Sequence, residues 1–316
     1  MYRNLKVFVA GHTGLLGSAL VKALNERGCT NVITRAHKDM DLADKNAVLD
    51  FFSTVRPDCV FLCAGKVGGI ESNLTYPADY LRTNLTIQNS IFEAALQHHV
   101  GHVVFYGSSC TYPKLSAQPI KESQLMTGPI EPTSEGYAIA KIAGLYACKL
   151  YNQQYKTTRF IALIPNSMYG PNDRFDLARS HVLSALIRRF HDAKVAASEE
   201  VTLWGTGSPK REFIYCDDVA ESSLFAVEHA VELGNRHYNI GSGADYSIKE
   251  LAQMICDIVG YNGRIRWDTA RPDGTPRKLL DSTDFMSLGW RPKVDIIDGI
   301  KRTYDWYLQQ VASEKK

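Results

Sequence analysis

The sequence has no long apolar run, no paired cysteine elements and no excess of charge of either sign, and each absence removes a class of protein. Its longest apolar stretches, residues 59–64 and 161–165, fall far short of the roughly 20 residues that a membrane-spanning helix needs, so no membrane partner is expected. Residues 1–6 lead straight into a strand-like segment, without the apolar region or small-residue cleavage site of a secretory leader, which predicts a soluble, cytoplasmic protein. The seven cysteines are odd in number and scattered, with no Cys-x-x-Cys element and no histidine at ligand spacing, so neither a disulfide scaffold nor a metal site is expected. With 36 basic against 34 acidic residues the formal charge is +2, too small to draw the whole molecule onto nucleic acid. A small anionic ligand remains compatible with that balance.

What is present is a regular alternation. Short apolar strand-like runs at 7–9, 31–34, 59–62, 102–106 and 160–164 are separated by segments of helical period at 15–27, 45–55, 77–99 and 134–155. The third of these carries Ile87, Ile91, Ala94 and Ala95 along one face. The pattern predicts an α/β fold, a Rossmann-type doubly wound parallel sheet. After about Pro165 the rhythm loosens into Gly-, Pro- and Asn-rich turns, with helices expected near 181–193 and 248–259. At 316 residues the chain can bury one large core and a second lobe. The division read here is residues 1–165 as a nucleotide-binding domain and 166–316 as mainly a smaller, interleaved substrate-binding lobe, with a return strand at 238–240 rejoining the main sheet.

Gly11, Gly14 and Gly17 fall between the first strand and the first helix, where missing side chains let the backbone turn tightly and approach a pyrophosphate at the helix N-terminus. Thr13, Leu15 and Leu16 complete this candidate dinucleotide turn, and Ala64 just past the third strand would flank it. At the end of the second strand an NAD-preferring site usually carries an acid for the ribose hydroxyls, whereas this chain has Arg35, suited to the 2′-phosphate of NADP(H). Asp41 reads equally as an adenine contact or as a solvated loop residue.

Tyr137 and Lys141 lie four residues apart, which on a helix puts both on one face. A cation there is expected to stabilise the phenolate and lower the tyrosine's pKa toward working pH. Ser108 adds a hydroxyl where the fourth strand ends, at the ligand-binding edge of a parallel sheet.

The glycine turn, the serine at the fourth strand's end and Tyr-x-x-x-Lys together resemble the extended short-chain dehydrogenase/reductases, and the resemblance covers nearly the whole chain. It implies that Tyr137 is the general acid on a carbonyl oxygen, that Lys141 tunes it and binds the nicotinamide ribose, and that Ser108 orients the carbonyl. Gly65-Lys-Val-Gly-Gly-Ile70, Gly107-Ser-Ser-Cys-Thr-Tyr-Pro113, Ser180-His-Val182, Arg188-Arg-Phe-His191 and Pro209-Lys-Arg-Glu-Phe213 are similar to the GDP-L-fucose synthase branch of these enzymes. That branch epimerises GDP-4-keto-6-deoxy-D-mannose at carbons 3 and 5 and reduces the carbon 4 ketone with NADPH. By the resemblance Cys110 is the base and His181 the acid of epimerisation, Arg188, Trp204, Arg211 and Lys278 contact the GDP-linked ketosugar, and the helices at 77–99 and 134–155 join two copies in a homodimer.

The chain departs from the branch at Pro165-Asn-Ser167-Met-Tyr-Gly170, where a serine hydroxyl replaces an amide, and its 172–179 loop is more basic. Both departures leave room for a related GDP-ketosugar of colitose or heptose type. A non-catalytic NADP-binding scaffold is a further alternative, opposed by the presence of every side chain the chemistry needs.

Overall fold

The computed structural model describes residues 1–177, 180–271 and 273–314. The chain begins β1 (Val7–Ala10), α1 (Leu15–Glu26), β2 (Val32–Ile33), α2 (Lys45–Val55), β3 (Cys59–Leu62), α3 (Ile70–Thr75), α4 (Pro77–Gln97), β4 (His102–Tyr106), α5 (Glu135–Tyr155) and β5 (Phe160–Pro165). It continues with β6 (Ser167–Tyr169), α6 (Val182–Val195), β7 (Glu200–Trp204), β8 (Lys210–Tyr215), α7 (Cys216–Glu228), α8 (Ala230–Leu233) and β9 (His237–Ile240). The last elements are β10 (Asp245–Ser247), α9 (Ile248–Val259), β11 (Arg264–Asp268), β12 (Arg277–Lys278), α10 (Thr283–Ser287) and α11 (Ile296–Glu314).

Six strands form a parallel sheet in the order β2-β1-β3-β4-β5-β9. The winding reverses between β1 and β3, and at such a reversal a crevice opens beyond the strands' carboxyl ends. Every residue of β1, β3 and β5 is buried, as a sheet covered by helices on both faces requires. Along β1 the pleat sends Val7 and Val9 into the core shared with α1 and α7, and Phe8 and Ala10 into the core shared with α2, α4 and α5.

Local chemistry sets the helix boundaries. Asp44 caps α2 by accepting from the Asn46 and Ala47 amides at 2.9 and 3.2 Å. Ser247 and Glu250 form a reciprocal capping box at the start of α9, which ends on Gly260 at φ 71°. The second strand is shorter than its apolar run suggested, covering Val32–Ile33 only.

Beyond β5, β8 is the hub of the second lobe: β6 and β12 pair with it in parallel and β10 antiparallel, while β7 and β11 form a separate parallel pair. Two long helices, α7 and α11, lie where the sequence pattern carries no helix expectation. Helix α7 packs against α1, and its Ser223 Oγ and Leu224 carbonyl accept from the Tyr106 and Tyr2 hydroxyls, each at 2.8 Å. Helix α11 inserts Ile296, Ile300, Tyr304 and Tyr307 into the same core. No helix among the described residues is long and apolar enough to cross a membrane.

Candidate active site

The glycine turn lies at the sheet's reversal. Gly11 has φ +88°, and a Cβ there would stand 2.7 Å from the Ala64 amide nitrogen, so the turn after β1 and the chain after β3 are in backbone contact. A Cβ at Gly17 would meet the Gly11 carbonyl oxygen at 2.1 Å, which fixes the close approach of α1 to the turn. At Gly14, the N-cap of α1, a Cβ would meet only the Gly11 oxygen at 3.6 Å, and no side chain caps the helix. The first-turn amides therefore face an open cradle suited to an anion. Thr13 and Gly14 are exposed and Leu15 is half-buried, but the Leu16 side chain belongs to the core, so it can meet a ligand through its backbone only. His12 Nδ1 is buried beside this cradle without a partner.

Arg35 is exposed, donates to the Thr34 carbonyl at 2.7 Å and holds its guanidinium 5.1 Å from the Phe51 ring centre. Asp41 accepts from the Ala43 amide at 2.9 Å and faces His37 at 3.8 Å, so its carboxylate already shapes the loop.

The reactive side chains gather beyond β4. The chain turns through Gly107 and Ser108 into a short 3-10 turn, Ser109–Thr111, and the Ser108 hydroxyl accepts from the Cys110 amide at 3.3 Å. Helix α5 brings Tyr137 and Lys141 to the same place. Its first turn lies directly on the start of α4, where a Cβ at Gly136 would stand 2.3 Å from the Pro77 carbonyl oxygen.

The Lys141 ammonium is buried, donates to the Tyr106 carbonyl at 2.8 Å and stands 5.8 Å from the Tyr137 ring centre. Burial lowers its pKa from the ordinary lysine value to about 8. Tyr137 is the reverse of the sequence expectation. Burial pushes its phenol up, charge on Cys110 and Tyr80 adds to the rise, and the hydrogen bond with Ser108 opposes it. Burial outweighs the Ser108 hydrogen bond, so the phenol is not made more acidic.

Cys110 shows the opposite balance. Burial pushes its thiol up, but the Lys278 ammonium and hydrogen bonds with Ser108 and Ser134 outweigh burial and the opposing charge of Glu131, leaving the thiol more acidic than usual.

His181 is the exposed N-cap residue of α6. Beside it, Asp173 accepts a hydrogen bond from Ser184; burial pushes its carboxyl up against that bond and the His181 charge. Arg188, further along α6, pairs with Asp192 at 2.7 Å. Trp204 ends β7 with 65% of its surface exposed and the Arg271 guanidinium 4.9 Å from its ring centre. Arg211 on β8 stands opposite Lys278 on β12 in the strand register. Thus Ser108, Cys110, Tyr137, Lys141 and Lys278 form one cluster, with His181 and Arg188 on α6 and Trp204 on β7 presented by the second lobe.

Sequence reasoning missed four polar groups here. Ser134 had been read only as a helix start, and Glu131, Asp173 and Tyr80 had not been singled out; they carry no motif and become relevant through tertiary contact alone. The departure at Asn166 and Ser167 also has a structural setting. Asn166 donates to the buried Glu212 carboxylate at 2.5 Å and accepts from the Ser167 amide at 3.0 Å, while Ser167 is half-buried in β6 opposite Phe213. In the basic loop Arg174 donates to the Val67 carbonyl at 3.3 Å, whereas Arg179 lies outside the described residues. A cavity of about 570 Å³ bounded by Glu122, Leu145, Cys148, Phe160, His237 and Asp281 contains none of the clustered side chains.

Residues 7–241 match the NAD dependent epimerase/dehydratase family, and the chain belongs to that family. Full-length likeness is narrower. The chain is 50% identical over 311 residues to GDP-L-fucose synthase 1 of Arabidopsis thaliana, covering 98% of this chain and 95% of that protein. It is 46% identical over 311 residues to the GDP-L-fucose synthase of Escherichia coli strain K12, covering 96% and 97%. Among solved structures, a GDP-mannoheptose C4 reductase from Campylobacter jejuni with NADP bound superposes with a TM-score of 0.90 at 37% identity, covering 98% of this chain and 99% of that one.

Proposed function

We propose that this chain converts GDP-4-keto-6-deoxy-D-mannose to GDP-L-fucose by 3,5-epimerisation and NADPH-dependent reduction of the 4-ketone. The observation that carries the reading is the convergence of a phenol, a hydroxyl and an unusually acidic thiol beyond the end of β4. The full-length likeness to two GDP-L-fucose synthases supports the substrate.

Gly11, Thr13, Gly14, Leu15, Leu16 and Gly17 would hold the cofactor pyrophosphate on backbone amides, with Ala64 alongside, Arg35 on a 2′-phosphate and Asp41 near the adenine. When bound, the nicotinamide supplies the hydride that reduces carbon 4. Tyr137, whose raised pKa keeps it protonated at neutral pH, hands its proton to the carbon 4 oxygen while Ser108 orients the carbonyl. Lys141 would bind the nicotinamide ribose.

For epimerisation, Cys110 Sγ removes a proton from a carbon next to the ketone and the released electron pair delocalises onto the ketone oxygen. His181 returns a proton to the opposite face. Arg188, Arg211 and Lys278 supply charge for the diphosphate, and Trp204 a surface for sugar or base. The division of labour is residues 1–165 for cofactor and 166–316 mainly for GDP-sugar, with β9 returning to the first sheet. The enzyme works in the cytoplasm as a homodimer joined through α4 and α5, the latter exposing Ile139, Tyr146 and Leu150 on one face.

Incubation with NADPH and the 4-keto sugar nucleotide, followed by product identification, tests the reading; absence of NADPH oxidation refutes it. The Campylobacter neighbour motivates one second reading, a GDP-ketoheptose substrate. Parallel assays decide: faster turnover of the heptose would displace the fucose precursor.

A further inference from the structure

Between β6 and α6, four successive residues each hold a different part of the molecule. Asn172, at φ +63°, donates from Nδ2 to the hydroxyl of Ser18 at 3.0 Å, one residue past Gly17 on α1. The Asp173 carboxylate accepts from the buried Ser184 hydroxyl of α6 on one oxygen and from the Arg174 amide at 2.8 Å on the other. The Arg174 guanidinium donates to the Val67 carbonyl at 3.3 Å, in the segment that follows β3. The Phe175 ring is buried against Tyr307 of α11, with ring centres 4.7 Å apart. Residues 172–175 thus join the helix of the phosphate cradle, the chain beside Ala64 and two helices of the second lobe.

The consequence falls on α6. His181 is its N-cap and takes the Ala185 amide on its carbonyl at 2.9 Å, but no side chain caps the helix. Ser184 lies in the first turn, so its bond to Asp173 fastens that turn from outside. A carboxylate suits the positive end of a helix, and a fully buried hydroxyl that loses its acceptor is costly, so this fastening has a strong preference for one geometry.

We propose that Asp173 is a positioning residue for epimerisation: by fastening the first turn of α6 to a segment bonded in turn to α1, it sets where His181 stands against the cofactor side of the cleft. This rests on the proposed function and deepens it, since it names what holds the acid in place. In the step His181 serves, the electron pair of the enolate forms the new C–H bond with the proton that leaves the imidazolium. Asp173 takes no part in that exchange and acts through the helix.

The test combines two measurements on the full chain with NADPH: amide hydrogen exchange read by mass spectrometry, and solvent-deuterium incorporation into the sugar. Asp173→Ala and Ser184→Ala should each speed exchange over residues 182–188 and cut deuterium incorporation about tenfold or more, the cost of a misplaced catalytic group, with KM for NADPH unchanged. The double variant should lose little beyond either single one, because both remove the same bond. Asp173→Asn keeps a polar group able to bond the Ser184 hydroxyl and should recover most of the incorporation. Should Asp173→Ala fail to fold, Ser184→Ala, which keeps the carboxylate and its bond to the Arg174 amide, carries the comparison. Unchanged exchange over 182–188 overturns the proposal, as does faster exchange with undiminished incorporation. A wild type that incorporates no deuterium refutes the proposed function, and the inference falls with it; incorporation in wild type that survives in Ser184→Ala refutes the inference alone.

Discussion

The buried ammonium of Lys141 donates a 2.8 Å hydrogen bond to the main-chain carbonyl of Tyr106, the last residue of β4. A charge sealed at the end of a sheet strand fixes α5 on that strand, and with it the phenol one turn earlier. It also carries a desolvation penalty, visible in the depression of its pKa to about 8. Between about 8 and the ordinary lysine value of 10.5 the unfolded chain holds this proton and the folded chain does not. Where the unfolded state binds more protons, stability rises with pH, so this group favours folding progressively across that window and penalises it below. Wild type should therefore gain stability relative to Lys141→Met as pH rises from 8 to 10.5, read from paired thermal melts. A constant or shrinking advantage would contradict the burial assigned to Lys141.

Tyr137→Phe removes the proton donor and keeps the ring that packs edge-on against Tyr80 at 6.5 Å. The fold and the cradle at Gly14 lie apart from this change, so NADPH affinity should persist while ketone reduction falls about a hundredfold or more. Cofactor titration beside single-turnover reduction separates the two. Retained reduction would remove the phenol from the chemistry.

Much of this architecture could be read from the sequence because its signals are local. Asp44, Ser247 and Glu250 cap their helices through bonds to near neighbours, and the spacing of Gly11, Gly14 and Gly17 encodes its own turn. Tyr137 and Lys141 share a face through helical period alone. Helix α7 was illegible because Ser222 and Ser223 sit fully buried within its apolar face, their hydroxyls returned to the Val219 carbonyl at 2.8 and 2.6 Å. In α11 the inward positions include Thr303, Tyr304 and Tyr307, whose polar atoms hide the stripe. The environment of Cys110 was out of reach for another reason: Ser134 and Lys278 come from two distant parts of the chain. Likewise, the direction of the Tyr137 shift depends on burial, which no spacing reports.

Glu212 is a fully buried carboxylate that accepts from Asn166 at 2.5 Å, from the Leu280 amide at 3.0 Å and from the Gly243 amide at 2.8 Å. It ties β6, β12 and the loop before β10 to β8. Glu212→Ala leaves those donors without a partner in a closed interior and should destabilise the chain by about 3 kcal/mol in urea titration. Because β12 carries Lys278, the same variant should raise KM for the sugar nucleotide more than KM for NADPH. Equal effects on both would mean that the carboxylate supports the fold without regard to the second lobe.

Arg35 stacks on Phe51 at 5.1 Å and has only the Thr34 carbonyl as a hydrogen-bond acceptor among the described residues. Its remaining donors are open to a 2′-phosphate. Arg35→Ala should raise KM for NADPH about tenfold or more, the loss of a charged hydrogen bond, and leave KM for NADH nearly unchanged. Parallel kinetics with the two cofactors measure the ratio, and an unaltered ratio would show that 2′-phosphate recognition lies elsewhere.

Gly136 precedes the proposed proton donor, and a methyl group added there would press to 2.3 Å from the Pro77 carbonyl oxygen. The atom it meets is backbone at the first position of α4, so no side chain can swing aside; α4 and α5 must separate. Overpacking of this kind costs about 1–3 kcal/mol, and Gly136→Ala should lower stability by that order in chemical denaturation. Separation also displaces Tyr137 from Ser108 while leaving the glycine turn after β1 in place. The variant should therefore lose kcat for reduction with KM for NADPH little changed, the pattern of a misplaced catalytic group. A variant as stable as wild type would mean that the two helices do not meet at this point.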